Sequence, residues 1–271
     1  MTFAAEKLDA ATRAEYREAG ILLSEDPADT MRALQWLYRR RRYRSLPAPR
    51  PRVEAAAIDA PGDWHALMDY LERAGVTPAP WTVLDAHTSA AEGCAKLAYP
   101  LVVKALPSEA EHKTEMGLVK LRVESPQEVD RIACEFRTKL GKPGMGVLVQ
   151  EMVGDGVEVV LSCLRNTDFG PVLSIGMGGV AIELFRDVTW VALPTTPDQV
   201  KHALCRLKLQ TLLDGFRGSP AADIDALAAA ATRFGDLFLA TPSLAELEVN
   251  PVMVRPAGRG LAAVDCLATG Q

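Results

Sequence analysis

Glu246, Glu248 and Asn250 alternate with Leu247 and Val249 in the run AELEVNP. On a β-strand successive side chains point to opposite faces, so the two carboxylates and the amide share one face and the aliphatic pair the other. Hard oxygen donors at this spacing suit Mg2+, which takes one or two protein carboxylates and leaves its other positions to water and phosphate. The same alternation also describes a half-solvated edge strand. Lys104 closes the apolar run LVV. An ammonium at a strand end beside a cleft can neutralise nucleotide phosphates, and a snorkelling surface lysine has the same signature. Further on, His112 stands among Glu109, Glu111, Lys113 and Glu115. Such company is wrong for a routine core histidine and leaves two readings: a neutral surface residue, or a nucleophile that accepts a phosphoryl group.

Two backbone features could also approach a ligand. Gly176-Met177-Gly178-Gly179 follows an apolar strand, and bare backbone there permits close approach by phosphate or by another chain. It is not a P-loop, for no Gly-Lys-Ser/Thr follows, and not GxGxxG, because the third glycine is adjacent. Gln150, Glu151 and Val153 end a strand beside a hinge-like Val-Gly, where they could meet an adenine amino group and ribose hydroxyls; alone they are only a strand end. His65, His87 and His202 lie far apart without ligand spacing and are assigned no metal.

The elements that must carry these residues follow from periodicity and punctuation. Residues 8–44 read as largely helical, with Met31, Leu34, Leu37 and Tyr38 on one face. Four prolines within 45–62 make a stiff linker, and a domain boundary falls there. A capped helix over 63–74 ends at Gly75, followed by an extended piece over 76–84 and the strand AYPLVVKAL. Ser125 caps a helix reaching about Leu140, with Pro126 at its first position. Strands are expected over 147–152 and 157–165, and a strand pair over 171–183 around the glycines. Helices follow over 196–213 and 221–239, and LAELEVNPVMVRP and LAAVDCLA close the chain as two strands.

Composition bounds the possibilities. Of 271 residues, 48% are apolar and 24% charged, ordinary usage for a soluble globular chain, and no apolar run is long enough to span a bilayer. A net charge of −5 gives no general pull toward nucleic acid, although residues 39–42 are locally basic. Five scattered cysteines without CxxC spacing argue for free thiols in a reducing compartment, and the polar N-terminus has no signal-peptide core, so the expected location is cytoplasmic.

In order, YPLVVKAL, EHKTEMGLVKL, GVLVQEMVGDGVEVVLSCLRNTDFGPVLSIGMGGVAIELFRDV, LLDGFRGSPAADIDAL and AELEVNPVMV with AVDCLA resemble the ATP-grasp domain of the NDP-forming acyl-CoA synthetases, relatives of succinyl-CoA synthetase. The resemblance covers about residues 63–268; residues 8–44 resemble, more weakly, the closing helices of a CoA-ligase domain. It implies an α+β, ATP-grasp fold of two lobes over 63–271, with 1–44 a partner-docking helical segment and 45–62 the linker. It further implies that Lys104 contacts the phosphates, Gly178 and Gly179 approach the nucleotide, Glu151 and Val153 meet the adenine edge, Glu158 the ribose, and Glu248 and Asn250 hold Mg2+. His112 takes the place of the family's phosphate-shuttling histidine, oriented by Glu183. The implied reaction converts acid, CoA and ATP to acyl-CoA, ADP and phosphate through an acyl phosphate and a phosphohistidine. CoA is reached through a partner subunit carrying the CoA-binding and CoA-ligase domains, with a carboxylic acid as substrate and neither nucleic acid nor membrane involved.

Three departures from the family pattern bear on activity. HKTEMGLV replaces the usual HKTDVGGV, so Leu118 stands for a glycine where backbone flexibility matters. Val191 stands for an arginine near the phosphate path, and Glu248 for the more usual aspartate. Two other readings therefore stay open: a degenerate module that holds nucleotide or a partner without turnover, and another ATP-grasp carboxylate ligase that needs no histidine.

Overall fold

A computed structural model of the chain describes residues 2–3, 10–20, 23–24, 31, 34–35, 64–106, 117–179 and 181–270. It divides into two compact units, Met1–Pro49 and Arg50–Gln271. In the first, β1 (Thr2–Phe3) pairs in parallel with β2 (Leu23–Ser24), and α1 (Ala10–Glu18) lies between them in sequence. Of the helical stretch expected over 8–44, α1 is described, residues 23–24 form the short β2, and most of 21–44 lies outside the described residues.

The second unit is built on two sheets. The smaller sheet runs β4–β7–β5–β6, from β4 (Trp81–Leu84), β7 (Val147–Glu151), β5 (Leu101–Ala105) and β6 (Val119–Val123), with every neighbour antiparallel. One face carries Leu101, Val103, Ala105, Val147 and Val149 into a core with α3 (Ala90–Gly93) and α4 (Pro126–Leu140). As expected, Ser125 caps α4, its hydroxyl accepting from Glu128 N at 3.3 Å, and Gly141 ends it at φ +62°. The other face presents Val102, Lys104, Leu148 and Gln150, all buried too, so β5 is covered on both sides.

The larger, seven-stranded sheet runs β10–β9–β8–β11–β12–β3, with β13 also on β11. Its strands are β3 (Thr77–Pro78), β8 (Val157–Leu164), β9 (Val172–Met177), β10 (Val188–Ala192), β11 (Leu244–Val254), β12 (Leu261–Ala263) and β13 (Cys266–Gly270). Leu161, Cys163, Leu173, Ile175, Val191, Leu247 and Val249 form its buried face, in one core with α2 (Trp64–Arg73), α6 (Pro197–Leu204), α7 (Leu209–Leu213) and α8 (Ile224–Ala240). Small residues let α8 sit close: a Cβ on Gly235 would fall 2.4 Å from Leu193 Cδ2. Among the described residues no helix is long and apolar enough to cross a membrane.

The chain crosses between the sheets at 79–80 and again at 152–156, and Glu151 N donates to Pro80 O at 2.8 Å, fastening the crossings to each other. The extended piece expected over 76–84 is thus two strands in two sheets. Other expectations also divide. The pair expected over 171–183 is one strand, β9, followed by α5 (Ala181–Phe185), and the true partner of β9 is β10. The turn at Gly178-Gly179, with Gly179 at φ +60°, stops β9 before it can fold back. The helix over 196–213 breaks into α6 and α7, because the Asp187 carboxylate takes Lys208 N and Leu209 N at 3.1 and 2.7 Å and starts a new helix there. LAAVDCLA likewise splits into β12 and β13.

Candidate functional site

Lys104 is not a snorkelling surface residue. It sits one residue out of phase with Val103 and Ala105, so it leaves its own lobe's core and points at the larger sheet, only 3% exposed. Its ammonium donates to Val264 O at 2.7 Å and Gln150 Oε1 at 3.3 Å and pairs with Asp265 Oδ2 at 3.7 Å. Gln150, 1% exposed, in turn donates to Ala79 O at 3.4 Å. A cation is therefore held at the join of the two sheets by groups from both.

The alternation in AELEVNP gives the face it implies: Leu247 and Val249 are fully buried, while Glu246, Glu248 and Asn250 are half-buried on the opposite side. The β8–β11 register shifts between Val249 and Val252, which sets Asn250 and Pro251 in a bulge of the kind that re-aims side chains at sites. Asn250 Oδ1 accepts from Gly179 N at 2.9 Å, its amide reaches Glu248 Oε1 at 3.5 Å, and its own N–H donates to Asp265 O at 3.1 Å. Burial pushes the Glu248 carboxyl above the usual glutamate range; the Asn250 bond offsets part of this, and the Glu246 charge adds to it.

The glycines have a structural reason as well. A Cβ on Gly178 would lie 2.6 Å from the Val159 backbone, and one on Gly179 would overlap the Glu158 carboxylate. They let the β9 end close onto β8, where Gly178 N donates to Glu158 O at 2.9 Å. Glu151 Oε1 accepts from Ala98 N at 2.8 Å and so anchors a loop of the smaller lobe, while Val153 lies in the 152–156 crossing. Glu183 lies on α5, directly after the glycine turn. His112 falls outside the described residues.

Lys104, Gln150, Asn250, Glu248, Gly179 and Glu158 are thus brought together, and the residue that joins them is one the alternation argument passes over. Asp265 touches Lys104 through its carboxylate and Asn250 through its carbonyl. The strand register places it: Val252 pairs with Ala263, and continuing that antiparallel register by two residues sets Asp265 opposite Asn250.

Two departures from the family pattern lie away from this cluster. Leu118, 1% exposed, fills the core of the smaller lobe, and the left-handed turn falls on Gly117 at φ +65°. At position 118, where the family glycine leaves the backbone free, the side chain is core packing. Val191 faces the larger core on β10, so that position does not look onto the cleft face either.

Oxygen donors on one face, the inner carboxyl disfavoured as an anion by burial and a like charge, make a set that a divalent cation relieves, so the residues fit Mg2+. Among the described residues no three or more His, Cys, Asp or Glu side chains gather into a cage, so such a cation would draw further oxygens from water and phosphate.

Known proteins are similar to this chain. The acetate–CoA ligase [ADP-forming] I of Archaeoglobus fulgidus is 33% identical over 192 residues, 69% of this chain but 28% of that protein. The beta subunit of acetate–CoA ligase [ADP-forming] I of Pyrococcus furiosus is 28% identical over 68% of this chain and 82% of its own length. The chain therefore spans little more than a quarter of the longer relative and most of the separate subunit. The dinucleotide-forming acetyl-coenzyme A synthetase 1 of Ca. Korarchaeum cryptofilum was solved with coenzyme A and Mg-AMPPCP, its phosphohistidine segment pointing towards the nucleotide-binding site. It is 28% identical and superposes with a TM-score of 0.65, covering 76% of this chain and 91% of that one. With residues 63–269 matching the family model described as ATP-grasp domain, the chain belongs to the ATP-grasp family.

Proposed function

We propose that this chain is the nucleotide-binding subunit of an NDP-forming acyl-CoA synthetase, working with a second subunit that holds CoA and the acyl site. The observation that carries the reading is the tie from Lys104 through Asp265 to Asn250 and Glu248, a buried cation beside an oxygen-donor set at the join of two sheets. Lys104 takes nucleotide phosphate oxygens; Glu248 and Asn250, with Asp265 beside them, hold Mg2+. Gly178 and Gly179 bring the backbone close to the phosphates, Glu158 takes the ribose, and Glu151 and Val153 border the adenine. When bound, Mg2+ offsets charge on the transferred phosphoryl group.

His112, in neutral form, supplies the lone pair that attacks the γ-phosphorus: an N–P bond forms, the bond to the β,γ-bridging oxygen breaks, and ADP leaves. The group then passes to the partner's histidine and on to the carboxylate, and CoA sulfur displaces phosphate from the acyl phosphate. Glu183 orients the His112 ring. The helical segment within 1–44 docks on the partner. The degenerate-module reading is weakened by the burial of Leu118 and Val191, whose side chains lie in cores rather than in the cleft.

The test is reconstitution of the chain with the CoA-ligase subunit of its own genome, following acid- and CoA-dependent ADP release from Mg-ATP. Loss of 32P labelling in His112→Ala with Mg-ADP binding kept is expected. Unchanged labelling would sink the role given to His112, and unchanged turnover would point instead to a carboxylate ligase without a shuttle.

A further inference from the structure

On the cleft face of the larger sheet one row of side chains runs straight across four strands. Ser162 of β8 stands opposite Glu248 of β11 on one side and Ser174 of β9 on the other, and Ser174 in turn faces Trp190 of β10. Directly opposed side chains leave a sheet about 4.5–5.5 Å apart, so the two hydroxyls follow the Glu248 carboxylate in single steps of that size. Their strand neighbours Leu161, Cys163, Leu173 and Ile175 lie in the core, which fixes both serines on the other face.

These serines are out of keeping with the other buried hydroxyls. Thr195 Oγ1 donates to Gln199 Oε1 at 3.0 Å, and Thr241 Oγ1 to Leu237 O at 2.9 Å. Ser162 is 5% and Ser174 6% exposed, yet neither hydroxyl hydrogen-bonds to any described residue. Burying a hydroxyl without a partner costs stability, and a native fold ordinarily satisfies such a group with water or a ligand.

The height of the row along the strands says which ligand atoms reach it. Glu158, assigned to the ribose, lies four residues before Ser162 on β8, about 13 Å at the usual rise of a strand. Between the two levels the β11 bulge sets Asn250 against Gly179 N. A nucleotide with its ribose at Glu158 and its inner phosphates at Asn250 therefore brings its terminal phosphoryl group to the row of Glu248, Ser162 and Ser174. During phosphoryl transfer charge spreads over three equatorial oxygens, and hydroxyl donors fixed where that charge develops act as an oxyanion hole.

We propose that Ser162 and Ser174 donate hydrogen bonds to oxygens of the γ-phosphoryl group as it passes from ATP to His112. This rests on the nucleotide and phosphohistidine reading above. Neither serine exchanges a proton or a covalent bond: the N–P bond forms and the bond to the β,γ-bridging oxygen breaks as already described, and the two O–H groups hold the oxygens throughout.

The experiment takes the full chain and compares Mg-ADP, the nonhydrolysable analogue Mg-AMPPNP, and single-turnover labelling by γ-32P-labelled Mg-ATP. Ser162→Ala and Ser174→Ala should each weaken Mg-AMPPNP roughly tenfold while Mg-ADP stays within about threefold, because the lost bond goes to an oxygen that ADP lacks. Labelling at saturating ATP should slow by roughly tenfold or more in each variant, and by about a hundredfold in the double variant. Melting temperature should hold or rise, since alanine removes a hydroxyl that the fold buries without a partner; serines with a purely structural role would lower it. A double variant that labels and binds Mg-AMPPNP like the wild type overturns the proposal alone. So does one that loses Mg-ADP in step with Mg-AMPPNP, or that melts lower with both nucleotides bound as before. A wild type that binds Mg-ADP but takes no label overturns the role of His112, and the comparison of Mg-AMPPNP with Mg-ADP still decides for the serines. A wild type that binds neither nucleotide overturns both readings.

Discussion

Replacing Lys104 by methionine separates the two jobs that its position implies. Methionine keeps most of the buried stem, so packing against Val102 and Leu148 changes little. What disappears is the ammonium, leaving Val264 O and Gln150 Oε1 short of a donor; each orphaned acceptor costs about 1–3 kcal/mol when buried. Asp265 is about one-third exposed and regains water, so its loss of a partner adds little. The sum is a destabilisation of about 2–6 kcal/mol, or roughly 4–24 °C in Tm at this chain length. Phosphate recognition should suffer separately. A charge-assisted bond to a phosphate oxygen is worth about 2–3 kcal/mol, a loss of about 30- to 150-fold in Mg-ADP affinity. Adenosine, which has no phosphate, should bind variant and wild type alike. Calorimetry with both ligands, beside thermal melts, is decisive. A Tm that falls as calculated while ADP affinity holds within threefold would make Lys104 a structural tie and refute its phosphate role.

Leu118→Gly, which restores the family residue, should remove a core side chain and cost about 3–5 kcal/mol in urea unfolding without raising turnover. A faster enzyme with an unchanged unfolding midpoint would show that position 118 limits activity after all. Glu248→Gln should behave oppositely on stability and binding. Because the folded-state carboxyl is raised above the unfolded value of about 4.3, the ionised group burdens the fold once pH exceeds the raised value. The variant should then melt higher than wild type at pH 7, the gain fading as pH falls through the glutamate range, while Mg2+-dependent ADP affinity drops. In the wild type that affinity should weaken on acidification sooner than an ordinary glutamate would dictate, and a pH-independent Mg2+ response would remove Glu248 from the metal site.

What could be read in the sequence follows from how local each signal is. Period-two alternation placed Glu246, Glu248 and Asn250 on one face because strand geometry alone dictates it, and Ser125, Pro126 and Gly141 bound α4 by capping chemistry that acts within one turn. Lys104 was harder. An apolar run ending in lysine fits a surface strand equally well, and only the second sheet, packed on the other face of β5, decides between burial and solvent. The strand expected to pair within 171–183 failed for the same reason in reverse: the glycine turn was visible, but the partner of β9 is set by the registry of a sheet assembled from residues far apart in sequence. Asp265 was half visible, since it requires knowing that β12 and β13 keep one register with β11 across the break at 264–265.

That register has a consequence for how the site would take a nucleotide. A lysine ammonium has three N–H donors, and Val264 O, Gln150 Oε1 and Asp265 Oδ2 are among the partners that already engage Lys104. A phosphate oxygen cannot simply be added to that set; it has to displace one of them. Of these three, Asp265 is the group to yield, being the longest contact and a carboxylate about one-third exposed (32%) to water. Once displaced, its carboxylate stays beside Asn250, held there by the Asn250 N to Asp265 O bond, which does not involve the side chain. Phosphate arrival at Lys104 and the freeing of a further carboxylate for a cation are then one exchange, coupled through a single residue. On this account phosphate and Mg2+ bind with positive cooperativity, because each relieves the group that the other needs.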